Sequence, residues 1–307
     1  MALKTQGITW ADLVQAAVSE RGSLAEVVRT LYELHPSRLP DDPATVERGL
    51  RRLRKRGHAP ADKYGRLILR SFGLPQEMQA YAADLGTYHS ALMDLPLQAR
   101  SAQLRLWDRN PVLESAQGAW IHLGMASLAH HQGRLEDAHR RLQLAALGLR
   151  RAGPSASIEH GLFSARLASD AGEAVRARLE GLLESVEQLP VGADQACYHA
   201  RVLDQLAYDA SRDGGTEGVK AALQLRRQIP SEGPAFVRFR RAFGLAWTLN
   251  KLGEPEALQQ GELALQIAGD AGLLRLRAGA LGLLAKLRPE EAQSFRSRQA
   301  EILQRLC

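Results

Sequence analysis

A turn signal recurs along this chain at a nearly constant interval, and the interval limits the possible folds more than any other feature. The turns are expected near Asp94, Gly133, Gly172, Gly214 and Gly253, which are 39, 39, 42 and 39 residues apart. Between them the sequence is rich in Leu, Ala, Arg, Glu and Gln and lacks runs of alternating Val, Ile or Thr, so it predicts helices. A period of this length is typical of helix pairs that stack into a solenoid.

The predicted fold class is therefore all-α, with two domains. Residues 1–75 are expected to form a small N-terminal helical domain. Residues 76–307 are expected to form an α-solenoid of about five helix pairs, which a helix over residues 290–306 caps. A chain of 307 residues, 45% of them hydrophobic, is long enough for two such domains.

Two of the repeat units carry a recognisable pattern. In one of them Leu123 and Gly124 lie in the first helix, a glycine marks the turn, and Ala138 lies in the second helix. This pattern and its counterpart over residues 245–268 resemble the tetratricopeptide repeat (TPR). The period exceeds the 34 residues of that repeat, so we expect longer helices. The resemblance covers about residues 77–287.

The N-terminal quarter begins with two predicted helices that have clear start signals. Thr9 caps a first amphipathic helix, which ends at Gly22. Ser23 and Glu26 have the spacing of a capping box, in which each side chain bonds the other residue's backbone N–H. The second helix is expected to continue to about His35.

A third helix follows a segment that is rich in proline and aspartate. Asp42 supplies its N-cap and Pro43 its first position, and Gly57 is expected to end it. A fourth helix is expected to include Lys63.

Positive charge is concentrated in this N-terminal quarter. Residues 1–75 contain 13 Lys and Arg against 8 Asp and Glu, whereas residues 76–307 contain 27 against 26. Six cations fall within residues 48–56, and a basic stripe on one helix is typical of nucleic-acid binding. The residues predicted to bind DNA are Thr45, Arg48, Arg51, Arg52, Lys55, Arg56 and Lys63.

The third helix also resembles a known recognition element. Residues 44–57 are similar to the recognition helix of bacterial helix-turn-helix regulators, although the turn before them is longer than usual. The exposed stripe of cations on this helix predicts that its start contacts base edges and that its later cations contact phosphates. The alternative is a solvated arginine-rich face. Nine cations between Arg48 and Arg70 face a single acid, Asp62, and this imbalance favours nucleic-acid contact.

The concave surface of a solenoid is its usual binding surface. If the first helix of each pair lines that surface, polar and aromatic residues one turn apart are candidate contacts for a peptide or protein effector. The alternative for each of them is an ordinary intramolecular ion pair or packing contact. The candidates are Arg201, Asp204, Tyr208, Arg238, Arg241, Trp247 and Asn250.

Motifs of enzymes and of metal sites are missing from the sequence. It contains no phosphate-binding glycine loop, dinucleotide fingerprint, nucleophile elbow or His-Glu-x-x-His helix. His122, His130, His131 and His139 lack the i, i+4 spacing of helix ligands. We therefore expect no catalytic residue, metal or cofactor. No segment is apolar enough for a membrane span, and two cysteines give no disulfide framework, so a cytoplasmic location is expected.

The layout as a whole resembles the RRNPP family of bacterial peptide-pheromone receptors, in which a helix-turn-helix precedes a TPR array. That resemblance implies a cytoplasmic transcriptional regulator, a homodimer that binds double-stranded DNA and responds to a peptide or protein effector. The main alternative is a non-enzymatic TPR adaptor whose basic N-terminal domain docks on an acidic partner. An enzyme with an unlisted chemistry is a third possibility.

Overall fold

A computed structural model describes residues 7–307 of the chain, and the described part consists of helices joined by turns and loops, without a β-strand. It confirms the all-α class. The α-helices are α1 (Trp10–Arg21), α2 (Leu24–Leu34), α3 (Pro43–Leu53), α4 (Lys63–Ser71), α5 (Gln76–Gly86), α6 (Leu97–Trp107), α7 (Gly118–His131), α8 (Leu135–Ala146), α9 (Leu149–Ala152), α10 (Pro154–Asp170), α11 (Arg176–Glu187), α12 (Ala193–Asp213), α13 (Gly215–Gln228), α14 (Ala235–Leu252), α15 (Glu256–Asp270), α16 (Leu274–Leu287) and α17 (Ala292–Leu306). Short 3-10 helices lie at Pro36–Arg38, Ala91–Asp94, Val112–Glu114 and Pro289–Glu291.

The helices form two compact units. The first contains residues 7–87 and 99–156, and the second contains residues 88–98 and 157–307. The division differs from the boundary expected between residues 75 and 76, which stays a prediction. No described helix is long and apolar enough to cross a membrane.

In the first unit, helices α1 to α4 all contact one another around an apolar core. Trp10, Leu31, Leu50 and Ile68 are fully buried, one from each helix. Full burial of a side chain of this size contributes on the order of 1.5–3 kcal/mol. This core fixes which face of each helix remains exposed.

The start signals of the first two helices are confirmed by the hydrogen bonds of their caps. Thr9 and Asp12 form a reciprocal capping box at α1. At α2 the Ser23 hydroxyl accepts from the backbone N–H of Glu26, at 3.1 Å. The second half of that box is absent, because the Glu26 carboxylate instead accepts from Arg29 at 2.9 Å.

The third helix begins where the sequence predicted and ends earlier. Asp42 caps α3 by accepting from the backbone N–H of Ala44, at 2.9 Å. The helix stops at Leu53 rather than at Gly57. Two bonds from Trp10 hold the chain beyond it: its backbone N–H donates to the Gly57 carbonyl at 3.2 Å and its indole N–H to the Ala59 carbonyl at 2.8 Å. These bonds direct the backbone away from the helix axis.

The loop between α3 and α4 is also fixed to the segment after α6, within the same unit. His58 Nδ1 lies 2.8 Å from the Asn110 carbonyl oxygen. The backbone N–H of Ala61 donates to Glu114 Oε1 at 2.7 Å. The N-terminal helices are therefore an integral part of the first unit.

Four of the five expected turns are short connections between successive helices. Gly133 separates α7 from α8, Gly172 separates α10 from α11, Gly214 separates α12 from α13, and Gly253 separates α14 from α15. Gly253 adopts a left-handed conformation at the C-terminus of α14, with φ of +74°, which favours glycine. The last helix, α17, packs on α16 through Phe295.

The turn expected near Asp94 is instead a longer segment, residues 87–96, which joins α5 to α6 and contains a 3-10 helix. Asp94 ends a 3-10 helix, and its carboxylate accepts from the backbone N–H groups of Leu274 and Arg275 at 3.0 and 2.9 Å. It therefore caps α16, which has no side-chain cap from its own preceding residue. Residues 88–98, which we call the strap, belong to the second unit. The bonds from Asp94 to α16 are among the contacts that join them to it.

In the second unit the helices that open successive pairs contact each other. Helix α12 contacts α14, and α14 contacts α16. The apolar core continues from one pair to the next: Ile158 of α10, Leu179 of α11 and Val202 of α12 share one buried cluster. The unit is thus a row of packed helices along which the strap lies.

Candidate functional site

The exposed face of α3 carries the cations that the sequence selected for DNA binding. Val46, Leu50 and Leu53 are fully buried against the other N-terminal helices. Burial of this stripe turns the opposite side of the helix to solvent, where Arg48 and Arg51 have side chains about 71% and 67% exposed.

Two of these arginines have acidic neighbours that the count over residues 48–70 did not include. Arg48 lies 3.6 Å from the Asp42 carboxylate, and Arg51 lies 2.6 Å from Glu47. Exposed ion pairs of this kind contribute only about 0–1 kcal/mol. A phosphate can therefore replace either acid at low cost.

Three other cations of the predicted set are exposed and have no acidic partner among residues 7–307. They are Arg52 on α3, Lys55 in the turn that follows it, and Lys63 at the start of α4. With Arg48 and Arg51 they form what we call the basic surface. A surface with unneutralised cations attracts a polyanion through the release of its condensed counterions.

A cleft of about 260 Å³ opens within the basic surface, between α3 and α4. Arg52 and Lys63 line it, together with Tyr64. Gly49 lets the two helices approach, because a Cβ at this position would lie 2.3 Å from Tyr64 Cε2. The sequence analysis missed both Tyr64 and Gly49, although a glycine inside an amphipathic helix is a signal of close packing.

The remaining two predicted DNA contacts have internal partners. Arg56 is half-buried in the loop, where it donates to the Pro60 carbonyl at 2.6 Å and lies 3.7 Å from Asp62. The Thr45 hydroxyl donates to Asp42 at 2.7 Å. This bond lowers the pKa of Asp42, so the cap is charged at neutral pH.

In the second unit several predicted effector contacts are occupied by other side chains of the chain. Arg201 forms two hydrogen bonds to the Glu159 carboxylate, at 2.5 and 2.7 Å. Asp204 accepts from Arg226 at 3.3 Å and from Arg240 at 2.9 Å. Arg201 and Asp204 are therefore engaged in intramolecular ion pairs. For these two residues the structure has the alternative that the sequence analysis gave to an effector contact.

The other predicted effector residues are more accessible or only partly engaged. Arg241 donates to the carbonyls of Arg227 and Ile229. Trp247 has the Lys251 ammonium 4.0 Å and the Arg226 guanidinium 5.2 Å from its ring. The exposed members of the predicted set are Tyr208, Arg238 and Asn250.

The strap supplies an aromatic side chain to this arginine-rich region, which the sequence analysis also missed. Tyr88 has the Arg201 guanidinium 5.0 Å and the Arg240 guanidinium 5.4 Å from its ring centre. The charge of Arg240, with that of Arg201, lowers the pKa of the Tyr88 phenol. No local pattern could reveal this cluster, since Tyr88 lies more than 100 residues before both arginines in the chain.

Within the described range, no group of three or more His, Cys, Asp or Glu side chains could hold a metal ion. His122, one of the four clustered histidines, is instead close to Arg141, with its Nδ1 3.2 Å from the guanidinium. Burial lowers the pKa of His122, so the ring is neutral near pH 7. A neutral ring can accept the hydrogen bond from Arg141.

Comparison with known proteins gave no match to a protein family, to a curated protein or to a solved structure. Function is therefore inferred from the chemistry of the two surfaces.

Proposed function

We propose that this chain is a DNA-binding transcriptional regulator and that its basic surface contacts double-stranded DNA. The observation that carries the proposal is the group of exposed cations Arg52, Lys55 and Lys63, which have no acidic partner in the described part of the chain. Arg48 and Arg51 extend the group, because their acidic partners are at least partly exposed and such pairs are weak. An unneutralised cluster on one small surface suits a polyanion.

In this proposal α2 and α3 are a helix-turn-helix, and α3 is the recognition helix. Its buried stripe packs on α1 and α2, so the helix can enter the major groove with its polar face outward. Thr45 and Arg48 at the start of α3 would contact base edges. Arg52, Lys55 and Lys63 would contact phosphates on either side of the groove.

The helix pairs that follow would act as a TPR-like array that binds a peptide or protein effector. The support is the succession of packed pairs at the expected turns and the arginine- and tyrosine-rich region along α12 and α14. We further propose a cytoplasmic homodimer, because a two-fold regulator binds two half-sites and so multiplies a modest affinity per site.

Selection of bound sequences from a random pool of double-stranded DNA tests this function. The full-length protein is used at near-physiological salt, since nonspecific binding falls steeply as salt rises. The proposal requires an enriched motif, and half-sites related by two-fold symmetry would support the dimer. A folded sample that enriches no motif would contradict the proposal and favour an adaptor whose basic surface docks on an acidic protein.

A matched pair of variants then tests the surface. Arg48→Ala with Arg52→Ala is expected to abolish binding to the enriched motif while the helical content stays unchanged. Arg296→Ala with Arg298→Ala removes the same charge from exposed positions of α17 and is the control. Equal loss of binding in both variants would show that net charge, rather than α3, determines affinity.

A further inference from the structure

The strap follows an unusual path, since it belongs to the second unit while α5 and most of α6, on either side of it in the chain, belong to the first. It contacts in succession three of the helices that open pairs in the second unit. Tyr88 and His89 contact α12 and α14, and Asp94 contacts α16. The strap is therefore laid along the row of helices as a bound peptide would be.

The first end of the strap is held by ring and cation contacts. Besides its contacts with Arg201 and Arg240, Tyr88 meets Phe236 edge-on, with ring centres 6.5 Å apart. The ring of His89 meets Tyr198 at 4.7 Å. Cation–π contacts contribute from about 0.5 kcal/mol when exposed to about 2 kcal/mol when desolvated. An aromatic side chain is thus the main requirement at this end.

The second end is held by hydrogen bonds to a helix N-terminus and to one arginine. The Asp94 carboxylate accepts from the first two backbone N–H groups of α16. Arg275 in turn donates to the strap backbone, at the carbonyls of Met93 and Leu95. A carboxylate is favoured there because the N–H groups at a helix start lack intrahelical partners and carry positive partial charge.

We propose that the strap is a displaceable internal occupant of a peptide-binding face, and that the ligand of this face is a short peptide with an aromatic residue six positions before a carboxylate. The face, which we call the strap face, consists of Tyr198 and Arg201 on α12, Phe236 and Arg240 on α14, and the N-terminus of α16. This inference rests on the effector part of the proposed function, because it names the site and chemistry of the effector. It is independent of DNA binding.

The contacts of the strap define what an external peptide must reproduce. Every one of them is made by a side chain or backbone group that a peptide can also carry, and none requires a covalent link to the rest of the chain. A tethered segment has an effective concentration of about millimolar, so it excludes a free peptide of equal intrinsic affinity at lower concentrations. Weakening the strap must therefore increase the affinity for that peptide.

Displacement of the strap would also affect the first unit, because the strap is joined to α5 by the polypeptide chain. Helix α5 ends one residue before Thr87, and the strap begins at Tyr88. Release of the strap would free the chain between α5 and α6 from the second unit. The ligand would then shift the population between strap-bound and strap-free states by its preference for the free face.

A binding measurement with a labelled peptide of residues 87–96 tests the proposal. The host is the full-length chain with Tyr88→Ala and Asp94→Asn. These substitutions remove the two side chains that hold the ends of the strap on the strap face. Fluorescence anisotropy is expected to show at least about tenfold tighter binding to this host than to the wild-type chain, because the competent fraction rises. The control peptide carries the same two substitutions and is expected to bind neither host.

The result that would overturn the proposal is a folded host variant that binds both peptides equally weakly. If the host variant does not fold, hydrogen exchange of the wild-type chain decides instead. The backbone N–H groups of Leu274 and Arg275, which Asp94 caps, must then exchange through an opening well below global unfolding. Exchange of these groups only on global unfolding would show that the strap is a permanent part of the core. Either outcome leaves the DNA selection experiment unaffected.

Discussion

The pair formed by Arg201 and Glu159 is the least exposed of the ion pairs described, and removal of its carboxylate has a calculable cost. The two side chains are about 7% and 5% exposed. Loss of one partner from a buried pair costs about 3–5 kcal/mol, because the remaining charge stays buried. The rings of Tyr88 and Tyr198, 5.0 and 5.5 Å from the guanidinium, still stabilise the cation. We therefore expect Glu159→Met to lose about 3–4 kcal/mol of stability.

Replacement of the arginine as well is expected to restore most of the stability that Glu159→Met loses. Glu159→Met combined with Arg201→Met replaces both charges by side chains of similar volume, and such replacements are often neutral or stabilising. The double variant is expected within about 1 kcal/mol of the wild type. The double variant is then about 2–3 kcal/mol more stable than Glu159→Met alone, a gain that two independent sites would not show.

Urea unfolding followed by circular dichroism at the helix band measures all three variants. A loss of 3–4 kcal/mol corresponds to about 6–16 °C in the melting temperature of a unit of 150–250 residues. The control is Glu180→Met, which breaks an exposed pair with Arg176 at 3.8 Å and is expected to change stability by less than about 1 kcal/mol. A loss below about 1 kcal/mol for Glu159→Met, or a double variant no more stable than the single one, would refute the reasoning.

Two further predictions follow from groups whose pKa is shifted by burial. Burial, aided by the charge of Arg141 and opposed by Asp108, lowers the pKa of His122 below its ordinary 6.5. The unfolded chain therefore binds the proton more tightly, so the stability that neutral His122 contributes is present above about pH 6.5 and is lost as the pH falls through the folded pKa. In pH-dependent unfolding His122→Asn should lose less stability than the wild type between about pH 7.5 and pH 5, and parallel profiles would contradict this. Burial raises the pKa of Cys197 to about 11, so at about pH 8 a thiol reagent should label Cys307 in the native protein and Cys197 only after unfolding, and rapid native labelling of both would be inconsistent with the core.

The starts of α1, α2 and α3 could be predicted from the sequence because their causes are local. A cap needs one side chain and the backbone N–H groups two or three residues later, and Thr9, Ser23 and Asp42 all supply this. The predicted end of α3 was wrong because the cause of the observed end is distant in the chain. The bonds that redirect the chain come from Trp10, which lies 49 residues before Ala59.

The position of the strap could not be predicted either, because the residues that it contacts are even more distant in the chain. Asp94 was interpreted as a turn residue because it lies 39 residues before Gly133, the interval at which the turns recur. Its carboxylate instead contacts a helix that begins 180 residues later. Contacts of this separation leave no periodic signal in a single sequence.

For the candidate sites, the sequence predicted correctly which charged side chains on α3 are exposed. It did not predict which side chains form ion pairs with the selected residues. The apolar stripe of α3 correctly placed Arg48 and Arg52 on the solvent side. The acids that reach Arg48 and Arg51 precede the basic run, so a count restricted to that run overstated its net charge. In the second unit Arg201 and Asp204 were selected as ligand contacts from helical spacing alone, which cannot show that Glu159 and Arg240 face them.

The salt dependence of binding to one duplex tests the central claim, that the basic surface contacts DNA phosphates, most directly. The logarithm of the affinity falls with the logarithm of the salt concentration by about 0.9 for each phosphate contact. Arg52→Ala with Lys63→Ala removes two cations without acidic partners and should reduce that slope by about 2, while Arg296→Ala with Arg298→Ala should leave it unchanged. Equal slopes for all three proteins would contradict the assignment of this surface to DNA.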